Sequence, residues 1–236
     1  MDFTLIGLPF DETQDFRKGS AKAPDMIRSI FPMMETYWNG VDLTECFIED
    51  LGNLTKDELS KATIKNFPIV LGGEHTVTEW IVDKLKPKNV VIFDAHADCE
   101  PTQKHDGITR RLAEKGYNVY LVVYGLRAIS KKEQEYLNTG KVKIVQADDL
   151  TRLQGETFVS IDLDVLDPAI MPAVGNPEPD GMSFTEVLSI FNSLERAKIV
   201  GVDFVEYTPT EKDNDIYLSI AGKLIYRIMA EIVRKK

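Results

Sequence analysis

What this chain has in short supply limits its function before any motif is read. Of 236 residues, three are histidine and two are cysteine. Cys46 and Cys99, in a chain whose start has no basic leader segment, suggest neither a disulfide framework nor a thiolate-rich zinc site. Every apolar run is far shorter than the roughly 20 residues that cross a bilayer, so no membrane partner is expected. No run of Lys and Arg reaches the density of a nucleic-acid footprint, and the net charge is -10. A surface of that sign repels phosphate and favours small cations. Low-complexity tracts, internal repeats and Gly/Ser/Pro linkers are also missing, which predicts one domain over residues 1–236. The opening Met1-Asp2-Phe3-Thr4-Leu5-Ile6 is soon broken by Pro9 and Asp11 and reads as a first strand, so a cytoplasmic location is expected.

What is present is an alternation of short apolar runs with amphipathic stretches. Runs at 3–8, 67–71, 89–93, 119–124, 142–145, 157–161 and 199–205 are rich in Val, Ile, Phe and Tyr, mostly without polar alternation, as suits strands buried on both faces. Between them, helices are predicted over 24–30, 55–64, 76–85, 108–115, 131–137 and 183–194. Ser183 and Glu186 have the spacing of a capping box. A last helix is predicted from near Asp215 to the terminus. Ile216, Ile220, Leu224, Ile228 and Ile232 form its buried stripe, and Arg234, Lys235 and Lys236 sit at the negative end of its dipole. The pattern predicts an α/β fold, a three-layer αβα sandwich with a mostly parallel central sheet. The stretch 166–182, proline-rich and aperiodic, is predicted to be a long ordered loop.

Three clusters carry the chemistry: Gly72-Gly73-Glu74-His75, Asp94-Ala-His96-Ala-Asp98, and Asp162-Leu-Asp164 with Asp167-Pro168. Each of the last two follows an apolar run, where the ends of parallel strands collect function. An extended backbone would aim Asp94, His96 and Asp98 to one side, and Asp162 and Asp164 likewise. All three histidines, His75, His96 and His105, fall in one short window. Carboxylates packed this densely repel one another unless cations neutralise them. Carboxylate with imidazole favours Mn²⁺ or a similar ion, and a pair of such ions holds hydroxide at neutral pH, which points to hydrolysis. Cys99 is expected to be a partly buried free thiol.

In this order the motifs resemble the ureohydrolase family of arginases and agmatinases. The resemblance spans nearly the whole chain and includes Gly7-Leu-Pro9-Phe-Asp11, the 19–28 segment with Pro24 and Ile27-Arg28, the three clusters above, Gly175-Asn-Pro177-Glu178 and Val205-Glu206-Tyr-Thr-Pro209. It implies an arginase-like fold and two Mn²⁺, one among His75, Asp94, Asp98 and Asp162, the other among Asp94, His96, Asp162 and Asp164. It further implies that Asp98 orients the attacking hydroxide and handles its proton, that Glu206 pairs with a guanidinium, and that His105 shuttles a proton. The family commonly forms trimers or hexamers. Two departures stand out: Glu74 occupies a position usually held by Asp, and in His105-Asp106-Gly107 one residue separates histidine from glycine.

The implied substrate is a small cationic guanidino compound. Cys99-Glu100-Pro101-Thr102 replaces the Asn/Ser-rich stretch of arginases, and Gly125-Leu126-Arg127 lacks their acidic loop. The 167–180 segment is closer to the agmatinase pattern, which makes agmatine the first expectation, with arginine and other guanidino or formimino compounds as alternatives. A metal-dependent deacetylase would need tandem histidines, and a non-enzymatic descendant would be expected to have lost a ligand.

Overall fold

In the computed structural model, which describes residues 1–212 and 214–235, the apolar runs line up in one sheet. The elements in chain order are β1 (Phe3–Leu8), α1 (Ala23–Ile30), β2 (Tyr37–Trp38), β3 (Val41–Asp42), β4 (Ile48–Asn53), α2 (Lys56–Lys61), β5 (Phe67–Gly72), α3 (Val77–Leu85), β6 (Asn89–Phe93), α4 (Ile108–Glu114), β7 (Asn118–Val122), α5 (Lys131–Leu137), β8 (Val142–Val145), α6 (Ala147–Leu150), β9 (Gly155–Asp162), α7 (Phe184–Asn192), β10 (Ala197–Val205) and α8 (Asn214–Arg234). The eight-stranded sheet has the order β4-β1-β5-β10-β9-β6-β7-β8, with parallel pairing throughout. β2 and β3 form a separate antiparallel ribbon.

Alternate residues of a strand face opposite sides of the sheet, and both sides are covered. Phe3, Leu5, Ile69, Leu71, Val91, Phe93, Val159 and Ile161 pack toward α1, α7 and α8. Ile6, Leu8, Val70, Val90, Ile92 and Phe158 pack toward α2, α3, α4 and α5. The result is the expected αβα sandwich, and it explains why the strand runs are continuously apolar. Each fully buried Ile, Leu, Val or Phe contributes about 1.5–3 kcal/mol relative to exposure.

The capping box at Ser183 and Glu186 is present. The helix expected over 55–64 stops at Lys61, because Ala62 turns to an extended conformation. The strand expected over 119–124 stops at Val122, and Tyr124 is exposed. In α8, Leu224, Ile228 and Ile232 are buried as expected, but Ile216 is 58% exposed. Leu218 and Ala221 take the inward positions of that turn instead. Lys236 lies outside the described residues. β4, the β2–β3 ribbon and α6 were not legible as elements: β4 is an edge strand with the polar sequence Ile-Glu-Asp-Leu-Gly-Asn, and the others are too short to show a period.

Four central strands, β5, β10, β9 and β6, lie side by side, with Phe204 beside Leu71, Val205 beside Asp162 and Phe93 beside Ile161. The residues at or just past their carboxyl ends are His75, Glu206, Asp162 and Asp94.

Candidate metal centre

That register brings the three sequence clusters together. His75 Nδ1 lies 3.0 Å from Asp94 Oδ2, 3.2 Å from Asp98 Oδ2 and 3.3 Å from Asp162 Oδ2. His96 Nδ1 lies 2.8 Å from Asp164 Oδ2 and 3.5 Å from Asp94 Oδ1. His75, Asp94 and Asp98 form one group able to hold a cation, and Asp94, His96 and Asp164 a second. Despite its neighbours, His75 Nδ1 is buried without a hydrogen bond, as is Asp94 Oδ2. Buried polar atoms are rarely left so, and a divalent ion among oxygen and imidazole donors would satisfy both. The residues therefore fit the implied metals.

Three of the carboxylates have one oxygen held by a backbone N–H. Asp94 Oδ1 accepts from the His96 N–H at 2.6 Å, Asp162 Oδ1 from the Asp164 N–H at 2.8 Å, and Asp164 Oδ1 from the Ala95 N–H at 3.0 Å. Each of these carboxylates thus keeps its Oδ2 for the cluster. His75 Nε2 lies 3.0 Å from Ser160 Oγ, which continues through Thr78 to Asp203 at the bottom of the site. Such outer contacts fix a ligand imidazole's tautomer and orientation.

The expected extended geometry is only partly correct. Asp164 sits in a tight helical turn, Leu163–Val165, capped by the Asp162 side chain, and Asp98 has a positive φ of 48°. Side chain to backbone hydrogen bonds, rather than strand alternation, aim Asp162 and Asp164. Asp167 stays out of the cluster altogether, accepting from the N–H groups of Ala169 and Gly181 and pinning the 166–182 loop.

Electrostatics follow from burial and crowding. Burial, with the neighbouring Asp164 and Asp94 charges, raises Asp162 well above the ordinary carboxylate range. Burial and Asp94 push Asp98 up to about 6. Burial alone would raise Asp94 as well, yet His75 and His96 bring it below its usual value. The imidazoles respond in kind. Burial pulls both down, but Asp162, Asp94 and Asp98 around His75, and Asp164 and Asp94 around His96, raise them. A cation entering the cluster displaces those protons, so its affinity rises with pH.

Glu206 is buried beside the cluster with a positive φ of 68°, a strained conformation for a non-glycine residue. Its Oε1 accepts from the His75 N–H at 2.8 Å and its Oε2 from Gln14 Nε2 at 2.5 Å. Burial raises its pKa well above normal. Gly175 is needed here, since a Cβ would come within 2.1 Å of Gln14 Nε2 and 2.9 Å of Glu206 Oε2. Gln14 was missed in the sequence: it stands 192 residues from Glu206, on a loop without periodicity.

Above the cluster opens a cavity of about 230 Å³, with His96, Asp98, Asp162, Asp164 and Glu206 low in the sequence motifs and Glu100, His105, Asp106, Ser130, Glu133 and Asn176 contributed by loops. No Lys or Arg is among these lining residues. Arg127 is close in sequence to the site but spends its guanidinium on the carbonyls of Gly125, Asp164, Glu178 and Pro179, at 2.7 to 2.8 Å, clamping two loops together. Arg111 likewise braces the cavity loop through the Thr102 and Lys104 carbonyls. Cys99 is a buried free thiol raised by burial, more buried than expected and outside the lining.

Comparison with known proteins gives matches over nearly the whole chain. The arginase family model matches residues 1–231. The N(1)-aminopropylagmatine ureohydrolase of Thermococcus kodakarensis is 31% identical over 97% of this chain and 90% of that protein. The agmatinase of Pyrococcus horikoshii is 31% identical over 96% of this chain and 91% of its own length. The solved structure of agmatine ureohydrolase from Thermoplasma volcanium superposes with a TM-score of 0.83 at 30% identity, covering 97% of this chain and 89% of that one.

Proposed function

The chain belongs to the arginase family, and from that premise we propose that it hydrolyses agmatine, or a close N-substituted agmatine, to urea and the corresponding amine. The observation that carries the substrate is the cavity lining, rich in carboxylates and without Lys or Arg. Agmatine brings a guanidinium and a distal ammonium, both suited to that lining. Arginine would also bring a carboxylate, with Arg127 already committed elsewhere.

Two Mn²⁺ would be held by His75, Asp94, Asp98 and Asp162 and by Asp94, His96, Asp162 and Asp164, with Asp94 and Asp162 shared. When bound, such ions bring the pKa of water toward neutrality and polarise the reacting carbon. Glu206 receives the guanidinium, a planar donor matched to a carboxylate, and is held in place by the His75 N–H and Gln14. Asp98 orients the attacking water and takes its proton. As water's oxygen joins the guanidinium carbon, the bond to the alkyl nitrogen breaks. Both protons that water gives up end on that nitrogen, one by way of Asp98 and the other accepted and passed on by His105, so urea and an ammonium leave.

The same reading places the protein in polyamine synthesis, in a reducing cytoplasm consistent with two free thiols. It also includes a homo-oligomer, trimer or hexamer, for which exposed Met33, Tyr37 and Phe47 offer apolar surface. Among the described residues no helix is long and apolar enough to cross a membrane.

The test is urea release after Mn²⁺ loading, measured with agmatine, N(1)-aminopropylagmatine, L-arginine and 4-guanidinobutyrate, with formamide release from formiminoglutamate in parallel. Substrates with a distal amine should exceed those with a carboxylate by about a hundredfold in kcat/KM, near 2.7 kcal/mol. Comparable turnover of arginine and agmatine would overturn the substrate assignment.

A further inference from the structure

Glu74 is the buried acid of the carboxyl-end motifs that the proposed chemistry does not use. It is fully buried beside His75, yet it does not line the cavity. Its carboxylate is turned toward a single residue, Thr13. Glu74 Oε2 accepts from the Thr13 N–H at 2.8 Å, and Oε1 accepts from the Thr13 hydroxyl. Thr13 passes both contacts on to one target: its hydroxyl accepts from the His105 N–H at 3.0 Å, and its carbonyl lies 3.1 Å from His105 Nδ1.

The direction of every bond in this chain is fixed. The Thr13 hydroxyl donates to Glu74 and has only lone pairs left for His105. A carbonyl only accepts, so Nδ1 of His105 carries its proton toward Thr13. The neutral ring therefore keeps Nε2 unprotonated for the cavity that His105 lines. Backbone and ring of His105 are thus held by the same residue, and that residue is held by Glu74. An aspartate at position 74 would be one methylene short of both contacts.

We infer that Glu74 is a positioning residue for His105, acting through Thr13 to fix the tautomer and placement of the imidazole that faces substrate. The inference rests on the proposed hydrolysis, in which His105 moves a proton.

The experiment is a mutant cycle on the Mn²⁺-loaded full chain, with metal content measured for each variant, combined with ¹⁵N-histidine NMR of the metal-free full chain. With three histidines in the sequence, the ring signals are assignable. Glu74→Gln and Thr13→Ala should each lower kcat for agmatine by about tenfold or more, as loss of a supporting contact does, with KM nearly unchanged. Thr13→Ser, which keeps the hydroxyl, should restore activity. In a His105→Asn background, Glu74→Gln should cost nothing further, and in the NMR spectrum it should mix the single His105 tautomer seen in the wild type. Equal cost in both backgrounds, or an unchanged tautomer, would overturn the inference. Should Glu74→Gln lose metal or fold poorly, the Thr13→Ala and Thr13→Ser pair decides, because Thr13 does not adjoin a ligand. A wild-type chain that releases no urea from any guanidino compound removes the hydrolase reading, whereas the tautomer measurement still decides the positioning.

Discussion

At the carboxyl ends of β5, β6, β9 and β10 lie His75, Asp94, Asp162 and Glu206, all buried, with His75 Nδ1 and Asp94 Oδ2 left without a hydrogen bond. Toward the amino ends of β6, β7 and β9, amide and hydroxyl side chains are paired. Asn89 donates to the Gln154 carbonyl and Thr157 hydroxyl, Asn118 donates to Asn89, and the charges there form an exposed Lys198–Glu156 pair at 2.8 Å. One end of the sheet is built to be stable alone, and the other is built to need something added. Buried unpaired carboxylates are costly, and that cost becomes affinity once a cation arrives.

The largest effect should come from removing a carboxylate that the proposed site would share between two ions. Asp162→Asn should reduce urea release by about a thousandfold or more, on the scale of losing a group that acts on the transition state. It should also abolish the rise in melting temperature on adding Mn²⁺. Because Asp162 is raised well above an ordinary carboxylate, its neutral replacement should make the metal-free protein more stable at neutral pH. A metal-free variant melting below the wild type would show that the carboxyl end is not electrostatically strained.

A smaller effect is expected at the rim. Glu100 accepts from the Ser130 hydroxyl at 2.7 Å and is partly exposed, so a distal ammonium there is only partly desolvated. Glu100→Gln should raise the KM for agmatine about fivefold, the scale of a partly exposed ion pair, and leave kcat nearly unchanged. Equal KM values would move the ammonium site away from Glu100.

The smallest effect belongs to the amino end. Lys235 donates to the Phe191 carbonyl at 3.0 Å, and burial lowers its pKa to about 8. A lysine lowered in the folded state binds fewer protons there than when unfolded, so its contribution to stability should increase as pH rises from about 8 to about 10. Partial exposure reduces the size of this trend. Urea midpoints of wild type and Lys235→Met should therefore diverge in favour of wild type over that range, and parallel curves would remove the assigned shift.

The cluster of carboxylates and imidazoles was legible because its residues lie in compact motifs directly after strand runs, and parallel strands end on the same side. The sheet was legible because both of its faces are buried, leaving unbroken runs such as Val90-Val91-Ile92-Phe93. Legibility failed where local cues were overruled or lacking. Asp167 shares a motif with Asp162 and Asp164, but the two N–H groups it caps turn it away. Ile216 keeps the helical spacing, but Leu218 and Ala221 occupy the inward face. Thr13 and Gln14 follow no period and are defined by partners 61 to 192 residues distant.

By itself the sequence determined the α/β class, the order of the ligand motifs and the family, because burial periodicity and dense carboxylate spacing are local properties. Only the tertiary structure decided which oxygen of each carboxylate faces the cluster, which arginine is spent on loop carbonyls, and how Glu74 reaches His105 through Thr13. Those outcomes depend on hydrogen-bond directions between segments far apart in the chain, which exist only once the sheet has brought the segments together.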